Sequence, residues 1–193
     1  NIAFHQGATA FKRITKITDK TIEIKEEKTY PDLEIKNCNI HFANVGFKYE
    51  TTQKKAVKNI NLDINGGSMT AFVGHSGAGK STILNLLPRF YDPQEGSIKI
   101  DNQDISKISL SSLRSKISLV SQDVILFDDT IKKNISYANS EASQDEIIQA
   151  CKFAAADEFI DKLPSTYDTV IGEDGIRLSG GQKQRISIAR AVL

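Results

Sequence analysis

Apolar residues recur at alternate positions in the first half of the chain. They alternate with polar residues from Ile60 to Ile64, and a similar pattern runs from Ile40 to Tyr49. Because a strand turns successive side chains to opposite faces, both patterns predict antiparallel strands with one face in water. Short apolar segments at Met69 to Val73, Ile98 to Ile100 and Ile117 to Val120 predict further strands, the last of them buried.

Three other segments have helical spacing. Ser81 to Phe90 carries apolar residues on one side, and Pro88 lies near its end. Ser143 with Glu146 fits a capping box, and an apolar stripe follows up to Phe159. A last helix is expected from about Gln182. This succession of strands and helices predicts an α/β fold with a β-rich opening and a helical insert.

Residues 1–36 differ from the rest of the chain. Ala10, Ile14 and Ile17 share one helical face, and the stretch from Lys20 to Lys28 is charged and lacks glycine. We interpret this region as the end of a helix followed by a linker. The alternative is an N-terminal arm that packs on the domain.

Charge and composition exclude several classes of protein. The chain has 25 Lys and Arg against 24 Asp and Glu, so its net charge of +1 provides no basic field for nucleic acid. Cys38 and Cys151 are too few for a disulfide framework. No run reaches the roughly 18 apolar residues of a membrane span. The chain begins at Asn1 and ends at Leu193, and we expect both ends to be cut.

One glycine-rich segment matches the phosphate-binding pattern G-x-x-x-x-G-K-[ST]. Its backbone N–H groups would converge on phosphate oxygens, and the following helix adds the positive end of its dipole. Lys80 would reach the β- and γ-phosphates, Ser81 would bind Mg²⁺, and Thr82 would extend the polar edge. His75 occupies a variable position, which an exposed residue without a catalytic role can fill. The segment, which predicts nucleoside triphosphate binding, reads Gly74, His75, Ser76, Gly77, Ala78, Gly79, Lys80, Ser81.

A second glycine-containing segment begins the last helix. It reads Leu178, Ser179, Gly180, Gly181, Gln182. Two glycines after a serine at a helix N-terminus can form another anion site. The alternative is an ordinary capped helix start, with Ser179 as the N-cap.

These two segments together resemble the ATP-binding cassette family, in which residues 178–182 correspond to the signature motif. The resemblance implies that Tyr49, 25 residues before Gly74, stacks on adenine. It also implies that Gln122 is the glutamine of the family's Q-loop, which binds Mg²⁺ and water and senses the γ-phosphate. The alternatives are a half-buried strand aromatic for Tyr49 and a polar residue at a strand end for Gln122.

Within that family the chain is most similar to exporters. The segment after the Q-loop resembles that of exporters at residues 126–131, and the segment before the signature does so at residues 163–173. The end of the last membrane helix of exporters is similar to residues 6–19. The implied fold is a P-loop NTPase of the RecA type with an antiparallel β subdomain and an α-helical subdomain at about 123–182. Residues 1–36 would be the membrane-helix end and linker. Residues 37–193 would be an ATP-binding domain that lacks the C-terminal part of its core.

The resemblance also implies a mechanism and partners. Two cassettes, identical or different, would dimerise head to tail. ATP bound at the P-loop of one would contact Ser179, Gly180, Gly181 and Gln182 of the other. Lys80 and Gln122 would be catalytic, Ser81 and Gln122 would hold Mg²⁺, and Gln122 and Glu173 would contact the transmembrane domain of the same chain. No nucleic acid partner is expected.

Residues 124–129 imitate another family motif. Four apolar residues followed by Asp128 and Asp129 look like a Walker B strand. We reject that interpretation because the segment directly follows a better strand and the Q-loop, whereas the family places Walker B after the signature helix. The true strand and the catalytic glutamate are then expected beyond Leu193. An isolated chain should therefore fold poorly and hydrolyse ATP negligibly.

Two other functions stay open at this point. One is a soluble cassette ATPase that acts on DNA or ribosomes, and the other is a non-catalytic nucleotide-binding regulator. The near-neutral charge and the exporter-like segments argue against the first. The intact Lys80, Ser81, Gln122 and signature argue against the second.

Overall fold

The computed structural model describes residues 7–9, 11–15, 24, 29–175 and 177–193. Its contacts divide the chain into two compact units, one ending at Ile117 and the other running from Ser118 to Leu193. Residues 7–9 and 11–15 are helical, as the sequence predicts. Most of the predicted linker, together with Gln6, Ala10 and Asp19, lies outside the described residues. Among the residues described, no helix is both long and apolar enough to cross a membrane.

The first unit is built around a four-stranded antiparallel sheet. Its strands are β1 (Ile40–Phe47), β2 (Val57–Ile64), β3 (Glu95–Ile100) and β4 (Gln103–Asp104), in the order β2-β1-β3-β4. Phe42 of β1 lies opposite Leu62 on one side and Ile98 on the other. The alternating apolar patterns therefore predicted the strands and their antiparallel pairing correctly, because one face of this sheet packs on a core.

Two short helices cover that core. They are α1 (Lys80–Leu86) and α2 (Leu110–Arg114), with a 3₁₀ turn at Ile105–Lys107. Helix α1 is shorter than the predicted Ser81 to Phe90. Pro88 has no N–H with which to continue the helix, and Arg89 adopts a left-handed φ of 51°.

A buried arginine fixes the chain that follows α1. Arg89 is 1% exposed, and its guanidinium binds both carboxylate oxygens of Asp92 at 2.8 and 2.9 Å and the carbonyl of Ile105 at 3.2 Å. The pairing satisfies a charge that would otherwise be costly to bury. Arg114 of α2 in turn donates to the carbonyls of Pro88 and Arg89 at 2.9 and 2.7 Å.

Two segments predicted as strands do not form strands. Met69 is fully exposed and Val73 is 91% exposed, and Leu119 and Val120 are also exposed. The prediction of a buried strand at Ile117 to Val120 is therefore wrong for this structure. A buried parallel strand needs neighbours on both edges to pair its backbone, and no described strand pairs with either segment.

The second unit is helical. It contains α3 (Ile131–Ile135), α4 (Gln144–Phe153), α5 (Asp157–Ile160) and α6 (Gly180–Val192), with 3₁₀ turns at Ser136–Ala138, Thr166–Asp168 and Glu173–Gly175. Helices α3 and α4 pack on α6 around buried apolar side chains that include Ile147, Cys151 and Ile186. The predicted capping box is confirmed, since Ser143 Oγ accepts from Glu146 N and the Glu146 carboxylate accepts from Ser143 N.

One carboxylate organises the chain before β1. Asp101 accepts hydrogen bonds from the backbone N–H groups of Lys36, Asn37, Cys38 and Asn39, at 2.7 to 3.0 Å. These bonds, led by that of Lys36, lower the pKa of Asp101 to about 2. Since the folded pKa is depressed, the ionised carboxylate stabilises the fold above its unfolded pKa of about 3.9.

This arrangement predicts a pH-dependent stability. Asp101→Asn should lower the unfolding midpoint near neutral pH, because an amide holds four N–H donors less well than a carboxylate. The difference from wild type should shrink as the pH falls from about 4 toward about 2, where the wild-type carboxylate also becomes neutral. Thermal unfolding of the full-length protein across that range measures it. Asp32→Asn, at an exposed site of the same unit, is the control. A constant difference at all pH values would contradict the prediction.

Candidate functional site

The glycine-rich loop wraps around its own lysine. Gly79 precedes α1 with a left-handed φ of 88°, and no side chain caps the N-terminus of that helix. The Lys80 ammonium donates to the carbonyls of Gly74 and His75, both at 2.9 Å. His75 and Ser81 are exposed. The loop therefore has the features that suit a phosphate, namely an uncapped helix start beside a cation.

The position of Gly79 is dictated by the sheet. A Cβ there would lie 2.6 Å from the Ala56 carbonyl oxygen and 2.7 Å from Val57 Cγ1. Gly77 also has a left-handed φ, of 80°, but open space surrounds it. Position 79 therefore requires glycine for two reasons, its left-handed φ and its close contact with the start of β2. Position 77 requires glycine only because of its left-handed φ.

Tyr49 lies beside α1. Its ring meets Phe47 and Tyr91 edge-on, with centroids 4.8 and 5.2 Å away, and its hydroxyl is 3.1 Å from Thr82 Oγ1. Thr82 is buried and so does not extend the exposed edge of the loop as predicted, because its hydroxyl turns toward Tyr49. The structure brings the predicted adenine-binding aromatic and the phosphate loop together in one unit.

The second predicted anion site is a capped helix start. Ser179 Oγ accepts from Gln182 N at 3.3 Å, and Gln182 Oε1 accepts from Ser179 N at 2.9 Å. The capping interpretation of Ser179 is therefore confirmed. Gly180 and Gly181 are exposed, and a Cβ on either would meet nothing within 4 Å. The fold itself does not need glycine at these two helical positions.

A shallow depression of about 290 Å³ lies beside this helix start. Its lining includes Gly181, the cationic side chains of Lys162 and Arg185, and the acidic Glu158. Arg185 is held by the carbonyl of Ala155 at 2.8 Å and by Glu158 at 3.0 Å. Because Glu158 offsets Arg185, the attraction for an anion at the α6 N-terminus would come from Lys162 and the helix dipole.

The remaining predicted residues are exposed in the second unit. Gln122 lies in an irregular segment, and Glu173 begins a 3₁₀ turn. Among the described residues, no cluster of three or more His, Cys, Asp or Glu could hold a metal ion. A hydroxyl such as Ser81 and an amide oxygen such as Gln122 are nevertheless ligands of the type that Mg²⁺ takes together with nucleotide phosphates.

The Walker B-like segment has another role. Residues 124–127 form no strand. Asp129 accepts from Thr130 N at 2.7 Å and from Lys133 Nζ at 3.1 Å, and these bonds lower the pKa of its carboxyl group, with the Thr130 amide as the main cause. Asp129 therefore serves the N-terminus of α3, and the rejection of the Walker B interpretation stays a prediction.

The sequence did not predict that Asn134 and Arg190 of this unit would bind each other. Asn134 is 1% exposed, and it binds the backbone of residues 127 and 130 together with Arg190 of α6. A polar residue between the apolar Ile131 and Ile135 was the available signal, because a buried amide must find partners for its hydrogen-bonding groups.

The antiparallel sheet, the helical unit and the glycine-rich loop before α1 are the parts expected of a P-loop protein of the cassette type. The family model described as ABC transporter matches residues 57–193, and the chain belongs to that family. The predicted family and fold class are thereby confirmed.

Relatives of the chain are exporters. It is 47% identical to an ATP-dependent lipid A-core flippase of Photorhabdus laumondii, over 100% of this chain and 33% of that protein. It is 46% identical to a putative multidrug export ATP-binding/permease protein of Staphylococcus aureus, over 93% of this chain and 31% of that protein. The structure of a bacterial Atm1-family ABC exporter with ATP bound matches at a TM-score of 0.90 and 43% identity, over 97% of this chain and 33% of that one. The chain thus spans about a third of the length of these relatives.

The two loop glycines provide a test of the loop geometry. Gly77→Ala should destabilise the protein by about 1 kcal/mol, from its left-handed φ alone. Gly79→Ala should cost about 2–4 kcal/mol, because a clash with the β2 backbone is added to the same strain. Urea unfolding of the full-length protein, followed by protease resistance, measures both. Equal losses for the two variants would contradict the geometry.

Proposed function

We propose that this chain is the ATP-binding and ATP-hydrolysing domain of an exporter. Residues 37–193 form the cassette, and residues 1–36 are the end of the last membrane helix and its linker. The observation that carries the proposal is the glycine pair at the start of α6. Glycine is a poorer helix former than alanine, and here neither a left-handed backbone nor close packing requires it. Close approach of a ligand from outside explains both glycines.

The phosphate loop binds the nucleotide in cis. Residues Gly74 to Gly79 surround the phosphates with backbone N–H groups, and Tyr49 stacks on adenine. The Lys80 ammonium exchanges its two carbonyl contacts for β- and γ-phosphate oxygens. Ser81 and Gln122 would hold Mg²⁺, which would supply positive charge against the charge that develops on the phosphates. Lys80 would stabilise the charge on the γ-phosphate, and Gln122 would orient the water that attacks it.

The signature binds the nucleotide in trans. In a head-to-tail dimer, identical or mixed, residues Ser179 to Gln182 contact the γ-phosphate held by the second cassette. The capping box uses Ser179 Oγ as an acceptor, so the hydroxyl hydrogen can still be donated to a phosphate oxygen. The dipole of the 13-residue helix α6 adds positive potential at the same place.

Gln122 and Glu173 connect hydrolysis to transport. Both are exposed, and they would contact the transmembrane domain of the same chain on the cytoplasmic face of a membrane. The net charge of +1 and the exporter relatives favour this function over a cassette ATPase of DNA or ribosomes.

A single substitution tests the role of the signature. Gly181→Ala in the full-length protein should not destabilise α6, because alanine is the better helix former and its Cβ would meet no atom within 4 Å. It should nevertheless lower the kcat for ATP hydrolysis by about 100-fold, because the added methyl displaces the γ-phosphate. Gln184→Ala, at an exposed position of the same helix, is the control and should leave turnover unchanged. Wild-type turnover by Gly181→Ala would reject the proposed trans contact.

We also propose that the 193-residue chain alone hydrolyses ATP negligibly. No Walker B strand or catalytic glutamate is identified within it, and the apolar Met69, Val73 and Val120 are exposed. Burial of such side chains contributes about 25 cal/mol per Å², so their exposure removes a large part of a normal domain's stability. Thermal melting and phosphate release from the purified chain measure both properties. A cooperative melt accompanied by substantial turnover would refute the proposal.

A further inference from the structure

Asn134 is the centre of a buried hydrogen-bond network in the second unit. Its side-chain oxygen accepts from Phe127 N at 2.9 Å, and its Nδ2 donates to the carbonyls of Phe127 and Thr130, both at 3.0 Å. The amide thus holds the backbone of residue 127 through both its N–H and its carbonyl. This is the pairing that a neighbouring strand would otherwise provide.

Arg190, near the C-terminal end of α6, completes the network. Its Nε donates to the Asn134 carbonyl at 2.8 Å, its Nη2 to Asn134 Oδ1 at 3.1 Å, and its Nη1 to the Ile125 carbonyl at 3.1 Å. The guanidinium also lies over the Phe127 ring, 5.8 Å from its centroid. Only a planar group with several fixed donors can make these contacts together.

The segment held in this way follows Gln122 directly. Residues 123–127 form neither a helix nor a strand, and Ile125 lies three positions after Gln122. The positions of Ile125 and Phe127 therefore depend on Asn134 and Arg190. The bonds fix the chain from Ile125 onward, and Gln122 is the exposed residue that precedes this fixed segment.

Helix α6 carries the other end of the connection. Gly181 stands nine positions before Arg190, a distance of about 13 Å along a helix that rises about 1.5 Å per residue. Buried Ile186 and Ala189 pack the helix between these ends into the core of the unit. The helix start that is proposed to face the trans nucleotide thus belongs to the same packed helix as the residue that holds the segment after Gln122.

We propose that Asn134 and Arg190 are positioning residues that lock the segment after Gln122 to the signature helix. Gln122 and the signature then respond to the γ-phosphates as one body. The proposal rests on the proposed function, in which both Gln122 and Gly181 act on ATP. Asn134 and Arg190 themselves do not touch nucleotide.

Arg190→Lys in the full-length protein tests this directly. Lysine keeps the charge but cannot make three directed bonds, so the amides of residues 124–130 should exchange hydrogen about ten-fold faster than in wild type. Protected amides of α4 report the folded fraction in the same measurement. The kcat for ATP hydrolysis should fall about ten-fold while the KM for ATP changes less than about two-fold. Asn134→Asp keeps a side-chain oxygen that accepts from Phe127 N but loses the two bonds that Nδ2 donates. It should also speed exchange at residues 124–130 and lower kcat.

Arg114→Lys is the matched control. Arg114 also donates to two carbonyls, those of Pro88 and Arg89, and lies 5.6 Å from the centroid of the Phe90 ring. The chemistry of the substitution is therefore the same, but it lies in the other unit and not beside Gln122. It should leave exchange at residues 124–130, kcat and KM unchanged.

Combination with Gln122→Ala separates positioning from general destabilisation. If Arg190 acts through Gln122, then Arg190→Lys should lower kcat little further in the Gln122→Ala background. The inference would be overturned if the kcat losses of Arg190→Lys and Gln122→Ala multiplied in the double variant. It would also be overturned if Arg190→Lys alone left kcat unchanged, or left hydrogen exchange at residues 124–130 unchanged. If the wild-type protein shows no ATP hydrolysis, the proposed function fails, and the exchange result alone then decides whether Arg190 holds the segment.

Discussion

The approach of Gly79 to the Ala56 carbonyl is the contact on which the phosphate loop depends. The loop has little regular structure of its own, and its lysine is held by its own carbonyls. Its position relative to the antiparallel sheet is set where Gly79 lies against the start of β2, too close for any side chain. The same short separation places α1 so that Thr82 meets Tyr49. One backbone contact thereby fixes the relative positions of the residues proposed to bind the phosphates, Mg²⁺ and adenine.

In the helical unit the corresponding constraint is polar rather than steric. A capping box orders the first turn of α6, and the Asn134–Arg190 network holds its last turn to an irregular segment. Between these ends the helix is fixed by apolar packing around Ile186. Fully satisfied buried polar groups specify one arrangement more narrowly than apolar contacts do, because a displaced hydrogen bond leaves an unpaired group behind. This explains how a segment without strand partners keeps a defined path.

Patterns with a local cause were readable from the sequence. The alternation from Ile60 to Ile64 and the Ser143 capping box were both predicted correctly, because a strand's alternation and a helix cap are written into residues a few positions apart. The role of the glycine-rich loop in phosphate binding stays a prediction. The apolar runs at 69–73 and 117–120 were not readable in this way, because strand formation depends on partners that their own composition does not reveal. Nor did spacing reveal that Thr82 would be buried or that Asn134 would meet a residue 56 positions away. Such contacts follow from tertiary packing.

The lysine of the phosphate loop has a thermodynamic consequence for nucleotide affinity. In this structure its ammonium already has two carbonyl acceptors, so an incoming phosphate competes with the loop for the same cation. The contribution of the lysine to binding is then a difference between two sets of hydrogen bonds and not the strength of one. Loss of the side chain would thus change the reference state as well as the complex, and a measured affinity loss would combine both effects.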